Sequence, residues 1–285
     1  TPEYADYVAG DLNVGNAYHD YWESIFTFFD YYLKDEDNGF HDDTPRVQFY
    51  TMGRNEWASA DTWPPEDAEP LTMYLASGGN ANSVFGDGAL SAEAAIAPGA
   101  DTFTYDPMNP VPALGGGVCC NRGAALGGSF DQRGIEARAD VLVYTSEPLE
   151  SELDVTGFVR ARLFVSSDAR DTDFTMKLVD VHPDGTAWNV DDTILRARYR
   201  DGYEDAVFME EGQVYELNPT AMSTSYVFKP GHRIRVEVSS SKFPQYMRNL
   251  NTGGNNYDET EAVIARNTVH HSAQYPSQIV LPVRR

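Results

Sequence analysis

The sequence predicts a mainly-β protein, a jelly-roll β-sandwich preceded by a single apolar helix. Two observations predict this. Helical spacing of apolar residues is confined to residues 16–35. After residue 45, β-branched and aromatic residues recur instead in short runs, several of them strictly alternating, with turn residues between them. Half-buried antiparallel strands show this alternation, and no long helical pattern interrupts it.

Residues 16–35 are predicted to form the helix, with Asn16 as its N-cap and acidic residues near its positive end. Nine apolar or aromatic side chains leave it little polar face: Tyr18, Tyr21, Trp22, Ile25, Phe26, Phe28, Phe29, Tyr32 and Leu33. A helix of this kind is normally covered by a larger body. We therefore expect it to pack on the sandwich, on another chain or on a further domain.

The segment "DEDNGFHDDTP" at 35–45 is rich in charge and contains Asn-Gly and Pro, so it predicts a linker. The expected domains are thus 1–45, helix and linker, and 46–285, the sandwich. "HPDGT" and "KPGH", which contain His182 and His232, predict hairpin turns. Nine runs predict strands: 46–52, 71–77, 140–146, 159–165, 174–181, 194–200, 213–218, 233–240 and 278–283.

A net charge of −23 makes nucleic acid and anionic membranes unsuitable partners. The densest apolar run, 25–33, is too short to span a bilayer.

Only 4 of the 21 basic residues are lysine, and an acidic, lysine-poor surface also suits high salt. No leader is visible at Thr1, so the sequence leaves the location open and favours a cytoplasmic one.

No metal or cofactor is expected from the spacing of the candidate ligands. Cys119 and Cys120 are adjacent, and a ring closed between neighbours strains the peptide, so two free thiols are predicted. The acid pairs at 171–173 and 191–192 match no calcium loop. A Ser-His-Asp triad could be drawn from His270 or His271 with Asp258 and Ser272. Adjacent histidines in a polar loop, however, are usually surface residues.

Two segments carry the candidate binding residues. "MGRNEWASADTWPP" holds Trp57 and Trp63, which are either aromatic anchors of a loop or an exposed stacking platform. "RNLNTGG" offers Arg248, Asn249 and Asn251 on a glycine-ended loop. This loop binds a neighbouring domain, contacts substrate, or is held to the neighbouring backbone by asparagine side chains.

Seven stretches, taken in order, resemble the C-terminal half of the cocaine esterase and X-Pro dipeptidyl-peptidase class of serine hydrolases. The similarity runs over essentially the whole chain. The stretches are "FFDYYLKDEDNG" (28–39), "VQFYTMGRNEWASADTWPP" (47–65), "DQRGIEARADVLVYTSEPLESELDVTG" (131–157), "DTDFTMKLVDVHPDGTAWNV" (171–190), "ILRARYR" (194–200), "FKPGHRIRVEVSSSKFPQYMRNLNTGG" (228–254) and "YPSQIVLP" (275–282).

This resemblance implies an α/β-hydrolase domain followed by a jelly roll of the galactose-binding-like type. The helix at 16–35 would be the last helix of the hydrolase domain, and 46–285 would be the jelly roll. It also implies ester or amide hydrolysis by a Ser-His-Asp triad through an acyl-enzyme. The family's nucleophile lies in a G-x-S-x-G turn, and no serine here has glycine at both positions. We therefore assign no catalytic residue to this chain.

Two functions follow as alternatives. In the first, the chain is the C-terminal portion of such a hydrolase, and its partner is a missing or separate α/β-hydrolase domain. A small ester or peptide substrate would then bind only to that partner domain. In the second, it is a free-standing jelly roll that binds carbohydrate or another ligand. The helix favours the first, since an independent module has no need for nine uncovered apolar residues. In isolation the same surface could form a homodimer. Trp57 and Trp63 are expected to anchor their segment by packing against the rest of the enzyme. The 248–254 loop is expected to lie at the domain interface.

Overall fold

The computed structural model describes residues 6–118 and 126–284. Its helices are α1 Tyr21–Lys34, α2 Phe40–Asp43 and α3 Arg133–Glu136, with a 3₁₀ turn at Ala197–Tyr199. Its strands are β1 Val8–Ala9, β2 Leu12–Asn13, β3 Val47–Thr51, β4 Glu56–Ala60, β5 Ala68–Ala76, β6 Ala89–Ser91, β7 Gly99–Tyr105, β8 Leu142–Thr145, β9 Leu153–Ser167, β10 Asp173–Val181, β11 Ala187–Arg196, β12 Tyr215–Leu217, β13 Met222–Phe228, β14 Arg233–Ser239, β15 Ala265–His271 and β16 Gln278–Arg284. None of these helices has both the length and the apolar character needed to cross a membrane. Cys119 and Cys120 lie outside the described residues.

The mainly-β fold is confirmed, and each of the nine predicted runs contains a strand. The run at 194–200 ends early, because β11 stops at Arg196 and the chain continues into the 3₁₀ turn. Seven further strands were not predicted from the sequence: β1, β2, β4, β6, β7, β13 and β15. The jelly-roll name and the assignment of α1 to a hydrolase domain stay predictions.

The long strand β9 joins two parts of the sheet system. Its first half pairs with β13 on one edge and with β16 on the other. Its second half pairs with β12 and β15. From there one path of strands runs through β16, β5, β6, β8, β14 and β10 to β11, and the other runs through β15 to β7. A strand of 15 residues can therefore contribute to both layers of the protein.

The main core lies between these strands and is built from their aliphatic and aromatic residues. Every residue of β10 is buried, which places this strand at the centre of the packing. Its Leu178 pairs with Val236 of β14, and both are fully buried. Tyr105, Tyr144, Phe174 and Phe228 are among the largest side chains that solvent does not reach. Burial of side chains of this size contributes about 2 kcal/mol each.

Helix α1 begins later than predicted. Asp20, not Asn16, is its N-cap, because the Asp20 side chain accepts a hydrogen bond from the Glu23 amide at 2.9 Å. Asn16 instead accepts from the Tyr18 amide at 3.2 Å and forms a turn before the helix. The helix ends at Asp35 in a left-handed conformation, φ 54°. The segment after α1, predicted to be a linker, contains α2, whose Phe40 packs against Phe28 and Tyr32 of α1.

One of the two predicted hairpins is wrong. "HPDGT" does join β10 and β11, which pair with each other. "KPGH" joins β13 and β14, but β13 pairs with β9 and β14 pairs with β10 and β8. The turn at 229–232 is therefore a connection between different pairs of strands. Local turn chemistry predicted the reversal of the chain correctly, but not the pairing, which long-range packing decides.

Candidate functional site

Helix α1 carries eight of the exposed large apolar residues of the described chain. No residue of this helix is buried. Trp22 is 69% exposed and Leu33 is 73% exposed. The other large apolar residues exposed on the helix are Tyr21, Ile25, Phe26, Phe28, Phe29 and Tyr32. The sandwich therefore does not cover this surface, and contiguous exposed apolar area of this kind marks an interaction site.

Trp57 fixes the segment that leads into α1. It lies on β4, and its indole Nε1 donates a hydrogen bond to the Tyr18 carbonyl at 3.1 Å. The indole ring is half-buried, 5.2 Å from the His19 ring and 5.4 Å from the Tyr50 ring. Trp57 thus attaches the start of the helix to the β3–β4 hairpin, while the apolar surface of α1 stays open.

Trp63 attaches the next connection to the sandwich. Its indole Nε1 donates to the Ser223 hydroxyl on β13 at 3.1 Å, and its ring lies 5.3 Å from the Phe49 ring. Phe158 of β9 is a further aromatic neighbour. The following Pro65 is buried. Both tryptophans therefore make their polar and aromatic contacts within this chain.

The 248–254 loop is largely an internal structure. Asn249 is fully buried, and its amide nitrogen donates to Asp171 at 2.7 Å and to Asp173 at 2.8 Å. Asn251 adopts a left-handed conformation, φ 63°, and donates to the Val263 carbonyl at 2.6 Å. Arg248 donates to the Pro107 carbonyl at 3.1 Å. The two asparagines hold the loop from inside, and their role at a domain interface stays a prediction.

Three of the four carboxylates considered for calcium are bound to basic side chains. Asp171 accepts from Arg198 at 2.7 Å, and Asp173 accepts from Arg196 at 2.9 Å. Burial raises the pKa of Asp173, although the Arg196 guanidinium opposes the shift. Asp192 pairs with Lys242, whereas Asp191 accepts hydrogen bonds from the Asp192 and Ser223 backbone amides. Three of these carboxylates thus have a cationic partner from the protein itself.

A second buried charge network lies where α3 meets β14 and β10. Glu136 accepts from Arg235 at 2.6 Å, and Lys177 donates to Glu237 at 2.8 Å. Glu136 is fully buried. Burial, assisted by the charge of Glu237, raises the pKa of Glu136 to about 7 even though Arg235 opposes the shift. This carboxyl therefore titrates near neutral pH.

Two histidines predicted as turn residues meet at one buried carboxylate. His232 Nδ1 lies 2.9 Å from an oxygen of Asp180, and His182 Nε2 lies 3.3 Å from the same oxygen. The two imidazole centroids are 4.3 Å apart. Because the histidines lie far apart along the chain, on either side of three strands, their spacing offers no sign of this cluster.

Residues 38–280 match the family model of the X-Pro dipeptidyl-peptidase C-terminal non-catalytic domain. The chain belongs to this family. The domain is also 46% identical over 258 residues to the cocaine esterase of Rhodococcus sp. (strain MB1 Bresler), which covers 90% of this chain and 44% of the esterase. The predicted resemblance to the C-terminal half of this class of serine hydrolases is thereby confirmed.

Two solved structures share the architecture of the X-Pro dipeptidyl-peptidase C-terminal domain. An aminopeptidase from a marine sediment archaeon, Thaumarchaeota archaeon, superimposes with a TM-score of 0.81 at 31% identity, over 97% of this chain and 46% of that one. An α-amino acid ester hydrolase superimposes with a TM-score of 0.78 at 29% identity, over 95% of this chain and 47% of that one. The chain thus spans less than half the length of these relatives.

One Ser-His-Asp group occurs inside this C-terminal domain, but its geometry is not that of a charge relay. His271 Nε2 lies 2.9 Å from both the Ser77 hydroxyl and the Asp101 carboxylate, and both oxygens of Asp101 also accept from Ser77. A relay needs serine and aspartate on opposite ring nitrogens. His271 is also 1% exposed, so no substrate reaches it.

The triad imagined from the sequence does not form either. His270 lies 2.9 Å from the Ser166 hydroxyl. Ser272 accepts from the Tyr275 amide, and Asp258 accepts from Asn255. These groups serve three separate local contacts.

Proposed function

We propose that this domain supports the catalytic domain of a serine hydrolase that cleaves esters or X-Pro-type amides. The names of the relatives support the reaction class, since a cocaine esterase, an α-amino acid ester hydrolase and an aminopeptidase all cleave a bond to an acyl carbon. In that class, serine attacks the acyl carbon, the alcohol or amine leaves, and water releases the acid. The catalytic serine would lie on the partner domain.

The observation that carries the proposal is the uncovered surface of α1. Eight large apolar residues of one 14-residue helix face solvent in the described chain. Burial of such side chains contributes about 2 kcal/mol each, so a docked partner would gain considerably from covering them. The hydrogen bond from Trp57 to the Tyr18 carbonyl attaches the segment before α1 to the β3–β4 hairpin. The helix is thus attached to the sandwich while its apolar surface stays open to a partner.

The proposed occupant is an α/β-hydrolase domain. The relatives carry more than half of their length beyond the part this chain matches, so a partner of domain size is available in them. Arg248 is a second candidate contact, because its side chain is engaged only through the Pro107 carbonyl and the Phe243 and Met108 side chains among the contacts described.

The test joins this chain to the catalytic portion of the Rhodococcus cocaine esterase in place of that enzyme's own C-terminal portion. We expect soluble protein that hydrolyses p-nitrophenyl esters and takes up one equivalent of a fluorophosphonate probe, with the label on the esterase portion. This chain alone should take up none.

The matched variant is the same chimera with Trp22→Glu and Phe26→Lys. Glutamate and lysine four residues apart preserve the helix, while the apolar contact between α1 and the catalytic portion is lost. Its soluble yield and activity should fall by about tenfold or more. Equal activity of the esterase portion with and without this chain would contradict a supporting role. Stoichiometric labelling of a serine in this chain would contradict its placement as the non-catalytic half.

A further inference from the structure

Asp180, His182 and His232 have the arrangement of a metal site. Asp180 is the penultimate residue of β10, His182 directly follows that strand and His232 directly precedes β14. The antiparallel register pairs Val181 with Arg233, which brings the two histidines to the same end of the two strands. One ligand atom from each of the three residues lies within 4.8 Å of the other two.

The distances fit one small divalent ion. Zinc bonds to histidine nitrogen and carboxylate oxygen are about 2.0–2.2 Å, so the edge of a tetrahedral site is about 3.3–3.5 Å. The Asp180 oxygen is 3.3 Å from His182 Nε2 and 2.9 Å from His232 Nδ1. The third edge, between His182 Nε2 and His232 Nδ1, is at most 4.8 Å long, so the two imidazoles would move closer together to complete a tetrahedral site. Two imidazoles and a carboxylate suit zinc and its transition-metal neighbours better than calcium or magnesium.

The surroundings support a ligand set more than a simple ion pair. Asp180 is 1% exposed, and the Tyr226 hydroxyl donates at 2.8 Å to its Oδ2, the same oxygen that both histidines approach. Metal-binding carboxylates usually have an outer hydrogen bond of this kind. His182 borders a cavity of about 300 Å³, which gives an entry path and room for a water as fourth ligand. Lys229 also lines this cavity and, among the described residues around it, is the one basic side chain apart from the histidines.

We propose that Asp180, His182 and His232 together bind one divalent transition-metal ion, with zinc the best fit. The ion would add a cross-link between the end of β10 and the β13–β14 connection, beyond the backbone pairing of β10 with β14. It would replace the hydrogen bond between His232 and Asp180, so that His232 Nδ1 binds zinc through its lone pair and Nε2 carries the proton of the neutral imidazole. The alternative is a hydrogen-bonded cluster that binds no metal.

Zinc binding to the whole 285-residue chain tests the proposal without any hydrolase activity. Cys119 and Cys120 are changed to serine in every sample so that thiolates contribute nothing. The protein is treated with EDTA, then titrated with ZnCl₂ against a chromophoric chelator at neutral pH with excess Mg²⁺, which occupies weak carboxylate sites on this acidic surface. We expect one equivalent of zinc and a zinc-dependent rise in Tm.

His182→Ala is the decisive variant, since this side chain is partly exposed and its loss should leave the fold intact. His232→Ala is the second, and His41→Ala is the matched control because His41 is exposed and pairs only with Asp42 among the described charged groups. We expect zinc affinity to fall at least about tenfold in the first two and to stay unchanged in the control. Absence of saturable binding in the parent protein, or equal affinity in His182→Ala, would overturn the proposal and leave a hydrogen-bonded cluster.

Discussion

The Glu136 carboxyl should make stability fall as the pH rises through neutrality. Its ordinary pKa is 4.5 and its folded pKa is about 7, so the native state binds more protons than the unfolded chain between these values. The free energy of unfolding therefore decreases as pH rises through this window, by at most about 3 kcal/mol. Glu136→Gln, which keeps an acceptor for Arg235, should unfold with a flatter pH dependence in urea titrations between about pH 5 and pH 8.

Glu150→Gln is the matched control, since Glu150 is exposed and the substitution is chemically the same. This variant should keep the pH dependence of the parent protein. Relative to the parent, the Glu136→Gln protein should gain stability at the alkaline end and little at the acidic end. If both variants follow the parent curve, Glu136 is ionised in the folded protein throughout, and the Arg235 pair outweighs burial.

Among single residues, the sequence identified polar clusters but not their partners. It singled out Asn249 in a glycine-ended loop, but the partners Asp171 and Asp173 lie more than seventy residues earlier and are brought there by β10. It placed His182 and His232 correctly in turns, but only the register of β10 with β14 brings both to Asp180. Residue type is local information, whereas a site is a set of distances that the packing of distant strands decides.

Exposed aromatic surface on α1 should cause the 285-residue chain to self-associate. Trp22 and Phe26 stack at 6.0 Å and touch nothing else among the described ring contacts, so they are suited to meet a second copy. Burial of each contributes about 2 kcal/mol. We expect sedimentation velocity to show mass increasing with protein concentration, and the Trp22→Glu/Phe26→Lys variant to sediment as a monomer. Phe28 and Tyr32 are less suitable targets because both also pack on Phe40.

A Tyr203→Glu/Tyr257→Lys variant is the control, because it introduces the same two charges and removes two exposed aromatic side chains elsewhere on the chain. These tyrosines are 73% and 82% exposed and lie on two loops outside α1. That variant should associate like the parent chain. A parent chain that sediments as a monomer at every concentration would show that the α1 surface is not adhesive, and the docking role would lose its support.

A helix or strand could be predicted from the sequence where its own residues favour that structure without long-range partners. Runs such as "FTMKLVDV" and "RIRVEVSS" carry β-branched side chains in sequence and became β10 and β14. The strands β7, β13 and β15 are rich in threonine, serine or histidine, and their extended form depends on pairing with each other or with β9. The sequence predicts too early a start for α1 because Asn16 and Asp20 are both good N-cap residues. Only the fold decides which of the two caps the helix.

For the whole molecule, two kinds of charge act in opposite directions. The buried pairs, such as Asp171 with Arg198, are shielded from salt by the protein around them. Many exposed acidic residues contribute to the net charge of −23, and on the surface like charges repel one another. A folded chain concentrates this repulsion more than an unfolded one, so screening should favour the folded state.

Added salt should therefore stabilise this protein. Between about 0.1 M and 1 M NaCl the screening length shrinks from about 10 Å to about 3 Å. We expect Tm to rise by a few degrees, equivalent to about 1–2 kcal/mol, with sucrose of equal osmolality as the control for solvent exclusion. An Asp37→Lys/Glu150→Lys variant changes two exposed carboxylates and should show a smaller response to salt with a higher Tm at low salt. A Tm that falls with salt in the parent protein would mean that attractive pairs, not repulsion, dominate its surface electrostatics, and the interpretation of its acidity as a high-salt adaptation would fail with it.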